Sequence, residues 1–178
     1  MGLLGRCKVL AVVIAVFIFF HSSLVIAADT KITATKAQLR ALFIKKIPKY
    51  VLWPEQSNVK KNVEYTVAAI DKEELAPYFS KLGPYKLVRW PTDSCHVLFI
   101  DSLNPRVIAA IIKQVQNKPI LTIGQNSDFL RMGGIINLVE SGSRMKLQVN
   151  ICAAHKAGLS ISSKLLKLSE IFCGDHLK

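Results

Sequence analysis

Between Arg144 and Ile151 the chain alternates strictly, with Met145, Leu147, Val149 and Ile151 pointing one way and Arg144, Lys146, Gln148 and Asn150 the other. A period of two with one apolar set predicts a strand that is buried on one face and wet on the other. The apolar run 135–139 comes before it, and Ser141-Gly142-Ser143 between them are turn residues, so the two segments form a hairpin. A short helix is expected over 153–157, stopped by Gly158. Ser162 then caps a second helix that carries Leu165, Leu168 and Phe172 on one stripe and packs on the sheet.

Upstream, Thr35 and Gln38 have the spacing of a capping box, and Leu39, Leu42, Phe43, Ile47, Tyr50 and Val51 follow at helical intervals. A helix is expected over 36–52, with a kink or break near Ile44 because Pro48 has no amide proton to donate. Strands are expected at 63–70, 86–90, 96–100 and 120–123. The third of these is wholly apolar, as a central strand covered on both faces would be. A helix over 73–82 tolerates Pro77 in its first turn and ends at Gly83-Pro84. Asn104-Pro105 starts another, whose stripe is Val107, Ile108, Ile111, Ile112 and Val115. The loop 124–134 holds one expected helical turn around 129–132. Alternating strands and helices with a closing hairpin predict a single α/β domain, its mixed β-sheet flanked by helices on both faces.

The first residues change the compartment. Arg6 and Lys8 precede the apolar run 9–20, and the small residues Ala27 and Ala28 follow it, which is the form of a secretory signal peptide at 1–28 ahead of a domain at 29–178. The run is shorter than the ~20 residues of a membrane span, so a retained anchor is the weaker reading. Cys7 precedes the run instead of following it, which excludes a lipoprotein. The domain is therefore expected in the periplasm. The formal charge of +12 falls to +10 without the leader, which favours acidic partners. The lysines are spread out and not interleaved with aromatics, so nucleic acid is not an expected partner. A phosphate-binding glycine loop is absent from the sequence.

Beyond the leader, three cysteines and three histidines fall in pairs: Cys95 beside His96, Cys152 three before His155, and Cys173 three before His176. Cys152 and His155 on one helical face could hold a soft metal ion, and a disulfide between Cys152 and Cys173, both in the C-terminal unit, is the other reading in an oxidising compartment. The bland reading of Cys95 is a buried small residue at the mouth of a central strand. Asp101-Ser102 follows that strand, but the G-x-S-x-G elbow of a hydrolase is missing, and these residues read as the turn leading into the next helix. No catalytic residue, metal or cofactor is assigned.

Three stretches resemble the YfiR family of small secreted bacterial proteins. They are Ala41-Leu-Phe-Ile-Lys-Lys-Ile-Pro-Lys-Tyr-Val-Leu-Trp-Pro54, Cys95-His-Val-Leu-Phe-Ile100, and the ordered set LTIG, GGIINLV, MKLQVNI and AGLSISSKLLKLS between Leu121 and Ile171. The resemblance implies an α/β domain, commonly dimeric, with no enzyme activity. It also implies a periplasmic regulator that restrains an inner-membrane diguanylate cyclase of the YfiN type and lowers cyclic di-GMP, with an outer-membrane lipoprotein as a further partner. Of the family's cysteines only Cys95 has a counterpart here, so Cys152 and Cys173 are local additions, and Pro48 is a further departure. Candidate partner contacts are Tyr50 and Trp53 near the first helix, and Phe129, Leu130 and Met132 in what is expected to be an exposed turn. The alternative function is a periplasmic small-molecule-binding sensory module whose pocket is formed by the loop 124–134 and the ends of the central strands.

Overall fold

The computed structural model describes residues 34–54, 64–79, 83–142, 144–173 and 176–177. The expected leader at 1–28 lies outside the described residues. Helix α1, Lys36–Lys46, starts at the expected capping box: the Gln38 amide donates to Thr35 Oγ1 at 3.2 Å, and Gln38 Oε1 accepts from the Thr35 amide at 2.7 Å. It does not run on to residue 52. The helix passes straight through Ile44 and stops at Lys46, and Ile47–Tyr50 continue as a 3₁₀ turn before the short strand β1, Val51–Leu52. Pro48 cannot donate to the Ile44 carbonyl, so the tighter turn takes over one residue before it. The buried face also differs from the expected stripe. Ala41, Ile44 and Ile47 are buried while Leu42 is 46 % exposed. Apolar and basic residues alternate around this helix, and only contact with the sheet selects a face.

One sheet organises the domain, in the order β10-β9-β7-β6-β5-β4-β2-β3. Strands β2 (Tyr65–Ala69), β3 (Tyr85–Arg89), β4 (Val97–Ile100), β5 (Leu121–Gly124) and β6 (Ile136–Ser141) run parallel. The expected hairpin is present, with β7 (Arg144–Asn150) antiparallel to β6 and Leu138 opposite Leu147. A separate two-stranded sheet joins β1 to β8 (Ser160–Ile161).

The sheet separates two apolar layers. On one face α1 and Leu75 pack over Val67, Val97, Phe99 and Ile123. On the other, helix α2, Pro105–Val115, lays Ile108, Ile111, Ile112 and Val115 on Ala68, Leu98 and Ile100. All four residues of β4 are buried, as a strand covered on both faces requires.

Two expected helices are cut short. Within 73–82 only Ala76–Tyr78 forms a 3₁₀ turn, and 80–82 lie outside the described residues. Pro77 denies an α-helix its amide just where the segment would need to propagate. At the C-terminus, α3 (Ile151–Lys156) ends at Gly158, φ +73°, and helix α4 is only Ser163–Leu166, capped by Ser162. Ser169–Cys173 is instead strand β9, parallel to β7, with Ile171 beside Val149, and Leu168 is 76 % exposed. Without β9 the outer edge of β7 would leave its backbone groups unpaired, and Ile171 and Phe172 are strand-favouring residues. The terminal strand β10, His176–Leu177, closes antiparallel on β9.

Candidate functional site

Ile100, Gly124 and Asn137 stand side by side across β4, β5 and β6, so Asp101 and Gln125 leave the sheet together at its carboxyl end. The crossover from β2 to β3 packs Leu75 on the α1 side, whereas α2, the crossover from β4 to β5, covers the opposite side. The connections part between β2 and β4, and a crevice opens on the neighbouring strands β4 to β6, at the carboxyl end of the sheet where ligands of open α/β folds bind. The crevice here has a volume of about 450 Å³, with Arg40, Asp101, Gln125, Ser127, Asn137 and Glu140 among its lining residues.

Its walls come from both faces of the sheet. From α1, the Arg40 guanidinium donates to Glu74 at 2.6 Å and to Glu140 at 3.4 Å, and Lys36 Nζ lies 2.6 Å from the other Glu140 oxygen. The hydrogen bond from Lys36, backed by the Lys36 and Arg40 charges, holds the Glu140 carboxyl below its ordinary value. On the α2 side a polar row crosses the hairpin: Asn137 Nδ2 donates to Gln148 Oε1 at 3.1 Å, and Gln148 Nε2 donates to Glu170 at 2.9 Å. Asn137 is 1 % exposed, and its Oδ1 has no hydrogen-bond partner; nor does the buried Nε of Arg40. Burial raises the Asp101 carboxyl, and the neighbouring Asp71 and Glu74 charges push the same way.

A hydrolytic triad is not assembled at this crevice. Ser102 Oγ accepts the Asn104 amide at 3.2 Å, and Asn104 Oδ1 accepts the Arg106 amide at 3.0 Å, so the two residues shape and cap the start of α2. His96 lies at the other end of β4, where its Nδ1 accepts the Thr66 amide at 2.9 Å.

The five candidate contact residues do not form one surface. The turn 127–133 is hydrogen-bonded, but it is not exposed in the way the sequence suggested. Phe129 is fully buried and Leu130 is 4 % exposed, so neither side chain forms part of the exposed surface that was expected. A Cβ at either Gly124 or Gly134 would overlap the Phe129 ring, which is how two small residues admit an aromatic into the core. Asn150 Nδ2 donates to the Leu130 carbonyl at 3.1 Å, and Thr122 Oγ1 accepts the Ile135 amide at 3.0 Å, tying both ends of the segment down. Met132 packs against the α2-side layer and Trp53 against the α1-side layer. Trp53 is held by its indole donating to the Pro119 carbonyl at 3.1 Å. Tyr50 is exposed, and so are Leu42 and Leu52, at 46 % and 70 %.

Cys152 and Cys173 are joined in a disulfide with Cα atoms 5.0 Å apart, linking α3 to β9. Cys152 therefore offers no thiolate to a metal beside His155. Cys95 is a buried free thiol, pushed up to about 11 chiefly by burial, with Lys118 opposing weakly.

Sequence reasoning missed Arg40, Asn137 and Glu140. The signal was present in one of them: Asn137 interrupts the apolar run Ile135-Ile-Asn-Leu-Val139, and a polar side chain inside a buried strand calls for a reason.

A profile of the family described as YfiR/HmsC-like matches residues 37–170, from the first turn of α1 into β9. No curated protein matches the chain.

Proposed function

The chain belongs to the YfiR/HmsC-like family, and from that membership we propose that it is an exported, non-catalytic regulator that binds the extracytoplasmic domain of an inner-membrane signalling protein. The bound protein is a diguanylate cyclase with a periplasmic sensor domain, and binding lowers cyclic di-GMP. The observation that carries the reading is the span of the family match, which covers nearly every described element and not one motif. The physical mechanism is differential affinity: a protein that binds one conformation of the receptor's outer domain more tightly shifts the receptor toward it and holds the cytoplasmic output down.

Exposed apolar side chains support a docking surface along α1 and β1. Leu42, Tyr50 and Leu52 follow one another there in sequence, and the long aliphatic side chain of Leu52 is largely in solvent. The excess of basic residues favours an acidic receptor face. A homodimer and an outer-membrane lipoprotein partner enter the proposal from the family resemblance alone.

The test is crosslinked capture of the tagged protein from intact cells, with the captured membrane proteins identified by mass spectrometry. A membrane protein with an outer domain and a cytoplasmic cyclase domain is expected, and Leu52→Asp should lose it. Recovery of the chain alone, in a capture shown to retain weak complexes, overturns the reading.

A further inference from the structure

We propose that the crevice at the carboxyl ends of β4, β5 and β6 is a binding site for a small hydroxylated ammonium compound of the amino-sugar class. Three observations point to this chemistry.

The first is an unmet acceptor. Asn137 lines the crevice and is buried, its amide nitrogen is committed to Gln148, and its Oδ1 has no donor. A buried carbonyl oxygen left without a donor is rare in a folded domain, and a ligand N–H or O–H would satisfy it.

The second is local charge. The chain as a whole is strongly basic, yet the charge left over in this crevice is acidic: Lys36 and Arg40 match Glu140 and Glu74, and Asp101 lines the space with no ion pair among the described residues. Arg40 is paired with both glutamates, so its charge is already matched and an anionic ligand finds no free cation on that wall. An ammonium group placed between Asp101 and Asn137 Oδ1 meets a carboxylate and a neutral acceptor together, the pairing that suits a cation carrying several N–H donors.

The third is the need for an acceptor on the ligand. The buried Nε of Arg40 has no partner, and a ligand hydroxyl oxygen would supply one. Gln125 and Ser127 add polar groups to the lining, and a space of about 450 Å³ admits a hexose-sized molecule.

The experiment is a ¹H–¹⁵N NMR titration of the isolated protein with glucosamine at pH 7. Glucose and N-acetylglucosamine serve as probes that keep the ring and hydroxyls but lack the ammonium. Saturable shifts of the Asn137 and Gln148 side-chain amides and the Gln125 backbone amide are expected with glucosamine, with half-saturation at about 1 mM, a modest affinity of roughly 4 kcal/mol. Asp101→Asn, a near-isosteric change at a partly exposed position, should weaken binding about tenfold, the loss expected for a hydrogen bond to a charged group. Asn137→Leu should abolish it. Equal shifts with glucose or N-acetylglucosamine overturn the proposal. So does an absence of saturable shifts up to about 50 mM, far above the stated constant, or an unchanged constant in Asp101→Asn. The isolated protein suffices, so the result does not depend on whether the regulatory reading holds.

Discussion

Phe129 shows how one side chain determines what a whole segment can do. Its ring fills the space between Gly124 and Gly134, and the loop that carries it is thereby drawn into the core. Replacing Gly134 with alanine forces a methyl group into that ring, and overpacking of this kind costs about 1–3 kcal/mol. Gly134→Ala should lower the unfolding free energy measured by urea titration by that amount, and Gly134→Ala combined with Phe129→Leu should lose less than the two single costs added together, because the leucine makes room. A second prediction concerns His96. Burial depresses its pKa below the ordinary 6.5, so the unfolded chain takes up a proton that the folded chain refuses. The stability due to neutral His96 is therefore complete above the unfolded value and is lost as pH falls through the window below 6.5. Protonation would also remove the Nδ1 lone pair that accepts the Thr66 amide. An NMR titration should place the His96 midpoint below 6.5, and the wild type should lose stability relative to His96→Gln as the pH is lowered through that window. A midpoint at or above 6.5 would show that His96 is not destabilised in its charged form.

At the scale of elements, the parts written in local chemistry were legible. The Thr35 capping box, the Asn104-Pro105 start of α2, the hairpin around Gly142 and the stop at Gly158 all depend on a few adjacent residues, and all were read from the sequence. What was not legible depended on distant partners. The face of α1 is selected by the sheet beneath it, and the conversion of 169–173 from expected helix to β9 comes from the open edge of β7. The disulfide reinforces that conversion, because Cys173 must sit beside the α3 cysteine. It closes a loop with a sequence separation of 21, and the chain-entropy estimate for a loop of that length is about 3 kcal/mol. Cys152→Ala with Cys173→Ala should lower stability by roughly that amount, and a reducing agent should destabilise the wild type while leaving the double variant unchanged. Equal sensitivity of both proteins to reductant would show that the bond adds nothing to folding.

For the molecule as a whole, the central fact is one sheet between two apolar layers. The crevice depends on this arrangement, since Arg40 and Glu140 reach it from the α1 side and Asn137 and Gln148 from the α2 side. Asn137, Glu140 and Gln148 share the hairpin, whereas Arg40 stands 100 positions before Glu140 and reaches it only because α1 packs on the sheet; Asn137 alone, a polar residue in an apolar run, carried a local sign. The same arrangement predicts how the domain unfolds. Trp53 packs in the α1-side layer and Trp90 in the α2-side layer, so each indole reports on one side of the sheet. If the strands couple the layers, neither can melt while the other stays packed, because β2 and β4 contribute side chains to both. Trp53→Phe and Trp90→Phe leave one reporter each. Within either variant, urea unfolding followed by the remaining tryptophan should coincide with unfolding followed by far-ultraviolet circular dichroism, the signature of a cooperative two-state domain. If instead the Trp90 signal moves at lower urea than the backbone signal, the α2 layer detaches first. The two walls of the crevice could then separate without global unfolding.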